Sequence, residues 1–530
     1  MHTIQRFFGT QFLLTAFLLS FTVAIQAQIR PPESPAIHDF SGSYMFLSSA
    51  WMEGREVGSK GGMMAADYLA TSLQTYGLAS FGDAKESQKT YFQDFEIVKY
   101  EVYYASLSLT QVSKNETSTI AFNHHVDFKV DPIPYGRQIE APLVFAGYGI
   151  QNSALGYNDY ENMEVKDKIM IMLAGFPGQH DTLSKAWKTY SAVFHDADSL
   201  QSVKTMLAAE KGVRAVIFLT TEKNKEKPEI KSITDTDPEY IDGDHYINGS
   251  ATQPSLPVYH LNREASELFA KNCSIDLDQF EKATANTLKS ASEILKTNSA
   301  SLHIEVVSEI IPARNVLGII KGNDTTKNIV VGAHYDHLGK RGDYIYYGAD
   351  DNASGTSGVL ALAKKWSEIN FVPSCNIIFA FWSAEEKGML GSAYFVSARD
   401  INNSNTALYL NFDMLSRSDP TDSTASIISI GLLTGTKETE QMAVNENQKL
   451  SKPFTLDLWH TSGHGGSDYV PFVQQKIPVM SFFSGFHADY HSSRDVFKLA
   501  DVSKMQRILQ LANGCLSVMT TAASKDSYPH

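Results

Sequence analysis

Residues 328–358 read NIVVGAHYDHLGKRGDYIYYGADDNASGTSG, and this stretch decides how the rest of the chain is understood. A β-branched run at 329–331 climbs through Gly332 and Ala333 and then delivers His334, Tyr335, Asp336 and His337. A short apolar run followed at once by polar side chains is the pattern of a buried parallel strand that hands groups to a site. After a glycine-bearing loop comes Gly348-Ala349-Asp350-Asp351-Asn352-Ala353-Ser354-Gly355, and then a helical run over 359–366. Imidazole and carboxylates therefore meet where a strand ends and a helix begins, the place at which open α/β sheets hold their ligands. Burying such acids is costly unless positive charge compensates them, and a divalent metal is the natural source.

Strand-like runs recur at 316–320, 377–381, 408–412, 427–430 and 479–483, separated by helical patterns that include 392–398 and 437–450. The alternation predicts an α/β fold built on a mostly parallel mixed sheet with helices on both faces. Three of the runs end on acids or imidazoles. The first leads into Ser383-Ala384-Glu385-Glu386, the second into Asp413, and the third through Ser484-Gly485-Phe486 to His487, Asp489, Tyr490 and His491. His334, Asp351, Glu386, Asp413 and His491 supply two imidazoles and three carboxylates from separate segments, with Glu385 to spare. That inventory suits two zinc ions about 3.5–4 Å apart that share one carboxylate and leave room between them for water. Adjacent glutamates can serve as base and ligand, because neighbouring residues leaving a strand point in different directions. On residue type alone Asp350 competes with Asp351 for the shared position, and Glu385 with Glu386. His337 and His487 read as supporting or surface groups. A single His or Asp at a strand end is more often a hydrogen-bonding group than a ligand, so the ordered set carries the reading.

A chain of 530 residues is too long for one compact core, and two domains are the natural expectation. The formal net charge of -14 disfavours nucleic acid or an anionic membrane surface as partner. Residues 1–27 have one charged side chain, Arg6, then an apolar run and a terminal small residue, which describes a secretory signal peptide and predicts a periplasmic or secreted protein. Cys273, Cys375 and Cys515 are too few for a disulfide framework and too far apart for a thiolate zinc site.

Between leader and site, 41–78 is helical in two pieces around the loop Gly54-Arg55-Glu56-Val57-Gly58-Ser59, and 91–100 and 103–110 alternate like two antiparallel strands. The runs 141–150, 168–173, 215–219 and 258–261 read as strands and 202–210 and 263–270 as helices, whereas 221–244 is polar with no period. The predicted organisation is a signal peptide at 1–27, the first part of the main domain at 28–122, an inserted smaller α/β domain at 123–272 with no metal cluster of its own, and the rest of the main domain at 273–530.

In chain order HYDHLG, GADDNASGTSG, SAEEKGMLGSAYF, LNFDM and DYHSSRD resemble the motifs of the co-catalytic zinc aminopeptidases. VFAGYGI, YNDYENMEVKDKIMIML, KGVRAVIFL and LPVYHL are similar to the protease-associated domain often inserted in that family. The resemblance covers nearly all of the chain beyond the leader, including the GREVGS loop. It implies a zinc exopeptidase that cleaves the N-terminal peptide bond of peptides or proteins through a metal-bridged hydroxide. His334 and Asp413 would hold one Zn2+, Glu386 and His491 the other, and Asp351 would bridge them. Glu385 would be the general base, Asp336 would hydrogen-bond the far nitrogen of His334, and Tyr490 would donate to the oxyanion. A cis peptide at Asp351-Asn352 is also implied. The chain departs from the pattern at Ser467-Asp468-Tyr469, where relatives commonly carry Ser-Asp-His; this touches pocket shape more than chemistry, and His464 lies nearby.

Other readings remain. A carboxypeptidase of the same superfamily needs cations at the carboxylate end of its pocket, for which Arg314, Arg341, Arg417 and Arg494 are available. A one-zinc glutaminyl cyclase-like enzyme fits less well with a full set of five ligands. An inactive binding protein derived from the fold would be marked by a lost ligand, and none is lost.

Overall fold

The computed structural model describes residues 32–521 apart from 87, 114–115, 132, 154–155, 192–196, 222–244, 249–255, 288, 290–291 and 464. The leader at 1–27, most of the polar stretch 221–244 and His464 lie outside the described residues. Among those described, no helix is long and apolar enough to cross a membrane.

The site rests on a run of parallel strands. Asp324–His334 is central, with Cys375–Trp382 on one side and Thr406–Phe412 on the other, both parallel to it. Val479–Phe483 continues the parallel run beyond Thr406–Phe412, and Ile427–Leu433 then joins antiparallel with Thr455–Thr461 at the edge. Burial on both faces explains their near-continuous apolar sequences. Successive side chains alternate between two cores: Ile329, Val331 and Ala333 pack with Val359, Leu362 and Leu509 on one face, while Val330 packs with Phe395 and Phe472 on the other. The helices Ile37–Leu47, Lys60–Thr75, Gly355–Ser367 and Val502–Thr521 contribute to the first core, and Leu390–Ala398 and Tyr469–Gln474 to the second. Gly332 has a packing reason, since a Cβ there would lie 2.7 Å from the Trp382 indole nitrogen.

One 28-residue strand, Glu293–Ile320, extends this sheet into a second group of strands. Its C-terminal end pairs with Cys375–Trp382, and its N-terminal half pairs with Arg137–Phe145. From there Ile169–Leu173, Ala215–Leu219 and Val258–Leu261 follow in parallel, and Phe128–Val130 closes the edge antiparallel. This second region has its own core, which includes Leu143, Ile169, Ile217 and Phe269 and also draws on Leu107, Leu109, Leu302 and Ile304.

The two short strands expected at 91–100 and 103–110 are instead one, Phe92–Val112. It pairs with Glu293–Ile320 from Gln111 opposite Asn298 to Phe92 opposite Val316, and a register shift at Glu305/Val306 absorbs the change of phase that reads as a break in sequence. The strand Thr455–Thr461 and the helices Leu277–Thr287 and Val502–Thr521 add to the elements read from sequence; in the last, Met505, Ile508, Leu509, Ala512 and Leu516 are buried at helical spacing. All three cysteines are buried and none is in a disulfide.

Trp366 is fully buried at the centre of the first core, where its indole N–H donates to Asn513 Oδ1 at 2.9 Å. Trp366→Ala is expected to cost about 3–5 kcal/mol through lost burial and a cavity, read as a lowered urea midpoint.

Candidate metal centre

Most of the candidate donor side chains sit at or beyond the C-terminal end of a parallel strand. His334 is the last residue of its strand and lies opposite Trp382, so Glu385 and Glu386 emerge beside it after a turn through Ala384. Asp413 follows Phe412 directly, and His491 comes off the loop after Phe483. Asp351 lies in the turn that opens the helix Gly355–Ser367, where the Asp351-Asn352 peptide is cis. Asn352 fixes that turn to the neighbouring strand by donating to Phe412 O at 2.9 Å, and Thr356 donates to His334 O at 2.6 Å.

These segments converge. His334 Nε2 is 3.4 Å from Asp351 Oδ1, 3.3 Å from Asp413 Oδ1 and 4.0 Å from Glu385 Oε2. His491 Nε2 is 3.2 Å from Asp351 Oδ2 and 3.4 Å from Glu386 Oε2. The two oxygens of Asp351 thus face the two imidazoles. The spacing is informative. Donors each about 2.0–2.1 Å from one tetrahedral ion stand about 3.3–3.4 Å from one another. The structure brings together all five expected ligands at that distance, so the donor set fits metal.

Asp350 points elsewhere. It accepts from the backbone N–H and hydroxyl of Ser416 at 2.6 and 2.8 Å, with His487 Nε2 3.4 Å from its other oxygen. Asp351 is therefore the acid brought between His334 and His491. His337 and His487 are both buried; His337 Nδ1 lies 2.7 Å from Glu386 Oε1, so it supports that carboxylate from behind.

Asp336 differs from expectation in detail. Its carboxylate stands 4.0 Å from His334 Nδ1, which meets the Asp336 backbone carbonyl at 3.2 Å instead. The carboxylate accepts from the amides of Glu385 and Glu386 at 3.1 and 3.4 Å, because the turn after Trp382 presents those N–H groups to it. Asp336 thus orients both glutamates and steadies His334 through its backbone.

Among the protein groups alone, the adjacent glutamates are driven in opposite directions. Burial pushes Glu385 well above the ordinary carboxyl range. Burial would raise Glu386 too, but His337 and His491 outweigh it and hold the group well below that range. The two carboxyls thus differ in how readily each takes up a proton. Burial also pushes Asp336 up to about 6.

Asp413 is held from outside by a chain of side chains that sequence reading missed. Ser467 donates to Asp413 Oδ2 at 2.7 Å, Asn411 donates to Ser467 at 2.9 Å, Tyr409 donates to Asn411 at 2.8 Å, and the Trp382 indole donates to Tyr409 at 2.8 Å. The Ser467-Asp468 pair was the available signal for it.

Beside the donors opens a cavity of about 330 Å³, whose apolar walls are Met414, Trp459, Tyr469, Phe483, Phe486 and Tyr490. Tyr490 stacks on the His491 ring with centroids 3.8 Å apart, placing it at the mouth of the donor cluster. Tyr469 forms a wall where the resemblance would have a histidine.

The aminopeptidase from Aneurinibacillus sp. strain AM-1 superposes with a TM-score of 0.53 at 18% identity over 92% of this chain and 94% of that one, a likeness of fold. Residues 315–515 match the model of peptidase family M28. It is 30% identical over 220 residues to leucine aminopeptidase 2 of Trichophyton rubrum, covering 39% of this chain and 42% of that protein. It is also 30% identical over 177 residues to leupeptin-inactivating enzyme 1 of Streptomyces exfoliatus, covering 33% and 36%. The chain thus spans about two-fifths of the length of these curated relatives.

Burial would lower the His491 pKa, but hydrogen bonds to Asp351 and Glu386 push it up to about 10. A histidine raised in the folded state adds stability that is fully present below its unfolded value, about 6.5, and lost as pH rises through the folded one. In the presence of a strong chelator the melting temperature should therefore fall as pH goes from about 6.5 towards 10. His491→Ala should flatten that fall in a pH series of thermal melts, and an unchanged slope would rule out this pairing.

Proposed function

We propose that this protein is a two-zinc aminopeptidase that releases apolar residues from the free N-termini of peptides. The observation that carries the reading is that His334 and His491 each lie 3.2–3.4 Å from one oxygen of Asp351 and from one further carboxylate, Asp413 or Glu386 respectively. His334 and Asp413 would hold one zinc, Glu386 and His491 the other, and Asp351 would bridge. Zinc bound there would polarise a peptide carbonyl and acidify water.

The chain's own groups do the rest. Glu385, whose burial favours taking up a proton, accepts one from the attacking water and returns it to the leaving amine. Tyr490 donates to the carbonyl oxygen as charge builds on it. The cavity receives the N-terminal side chain, and its aromatic and methionine walls favour apolar ones. Among the described residues its lining includes no Arg or Lys. Arg314 pairs with Asp94, Arg341 with Glu56, and Arg417 and Arg494 with Asp489, which weighs against a carboxypeptidase.

The domain division at 123–272 belongs to the same reading, with that segment as a protease-associated domain beside the peptidase. A second core around Leu143 and Ile217 supports a distinct domain there, although that core also takes in Leu107, Leu109, Phe280, Leu302 and Ile304 from beyond those bounds. Export directed by residues 1–27 completes the reading.

The test is to incubate the protein with leucyl and phenylalanyl peptides, free or N-acetylated, with and without chelator. Cleavage of the free peptides alone, suppressed by chelation and restored by zinc, is expected; cleavage confined to acetylated peptides contradicts the proposal. Glu385→Gln should keep its zinc by elemental analysis yet lose about 100-fold or more in turnover, as loss of a general base requires. Glu386→Ala should lose zinc, and the opposite pattern would reverse the two roles.

A further inference from the structure

The GREVGS loop supplies a buried cation that the catalytic reading does not use. Arg55 is 0% exposed and spends its guanidinium on four backbone carbonyls. Nε donates to Tyr335 O at 2.7 Å, Nη1 to Leu47 O at 2.6 Å and Tyr347 O at 2.8 Å, and Nη2 to Gly348 O at 2.8 Å. Tyr335 follows His334, and Gly348 lies three residues before Asp351. We propose that Arg55 is a positioning residue of the metal centre, tying the segment that carries His334 to the segment that carries Asp351.

The backbone is shaped for this contact. Glu53, Gly54 and Arg55 all have positive φ, at 47°, 72° and 52°. A Cβ on Gly54 would lie 2.4 Å from both Gly339 O and Tyr346 O, so only glycine lets the loop seat between these strands. The amide of His337 returns the contact by donating to Arg55 O at 3.4 Å. From the opposite side Asp495 accepts from the amides of Asp350 and Asp351 at 2.9 and 3.0 Å. The turn that presents Asp351 is thus gripped on its carbonyl side by a cation and on its amide side by a carboxylate.

Charge makes the same point. Burial draws the Arg55 pKa down to about 10, while the fields of Asp351, Asp495, Asp336 and Glu386 hold it up. Arg55 therefore stays cationic near neutrality and offsets part of the repulsion within the acid cluster. Lysine would keep the charge but cannot reach three segments with one ammonium, whereas a planar guanidinium fork can.

This inference rests on the metal reading above, and its test separates the two. Zinc affinity of the full chain is measured by competition with a chromophoric chelator for wild type, Arg55→Lys and Arg55→Gln. Leu73→Ala, a buried change on the helix Lys60–Thr75, controls for lost stability. Hydrogen exchange of 334–338 and 347–352 is followed in the same variants with chelator present. Arg55→Lys should weaken zinc binding about 10- to 100-fold, the range for groups that orient metal ligands, and speed exchange in both segments beyond the control. Wild-type affinity and exchange in folded Arg55→Lys would overturn the proposal. If Arg55→Lys does not fold, Arg55→Gln decides by the same two readouts. If wild type itself binds no zinc, the metal reading falls, and the exchange data still decide whether Arg55 holds the two segments.

Discussion

Carboxylates packed close together in a buried site repel one another, and the rest of this structure is arranged around that repulsion. Asp351, Glu386 and Asp413 meet around His334 and His491, with His337 against Glu386, and Glu385 and Asp336 stand immediately behind. Imidazoles alone relieve the charge only by holding protons, which is why His334 and His491 are both driven upward in pKa. Two dications between the same atoms would relieve it without protons and leave the imidazoles neutral, as ligands must be.

The fold makes the crowding possible. Parallel strands end together at one side of the sheet, so four neighbouring segments can each contribute one or two groups without a long loop. Each contributor is then braced from outside: Asp413 by Ser467 and Asn411, Glu386 by His337, and Asp351 through a turn held by Asp495. Such outer contacts fix the angle from which a ligand approaches its metal and raise its affinity. Arg55 extends the same logic, because its positive charge sits beneath the acids while its hydrogen bonds all go to the backbone.

What could be read from sequence follows from the range of each signal. The parallel strands were legible because each is a short apolar run ending on polar residues; that His334, Glu385, Glu386, Asp413 and His491 come together was legible because they follow those ends, and Asp351 because it lies where a loop opens a helix. On residue type alone the choice of Asp351 over Asp350 was open and only the resemblance favoured Asp351, since adjacent acids look alike until the turn sends one to Ser416. The single strand Phe92–Val112 was hidden by its register shift, which depends on a partner two hundred residues away. Thr455–Thr461 is half-exposed at the sheet edge and lacks a buried strand's apolar run. Arg55 was visible only as part of a loop, because its partners are backbone carbonyls, which leave no trace in side-chain identity.

The claim at the centre of this account is that two cations occupy the space around Asp351. Anomalous diffraction at the zinc edge, from crystals of the protein grown with zinc, tests it most directly. Two peaks are predicted, one against His334 and Asp413 and one against Glu386 and His491, with an oxygen of Asp351 on each. Zinc found only elsewhere, or a donor cluster closed by direct His–carboxylate hydrogen bonds with no metal density, would contradict it.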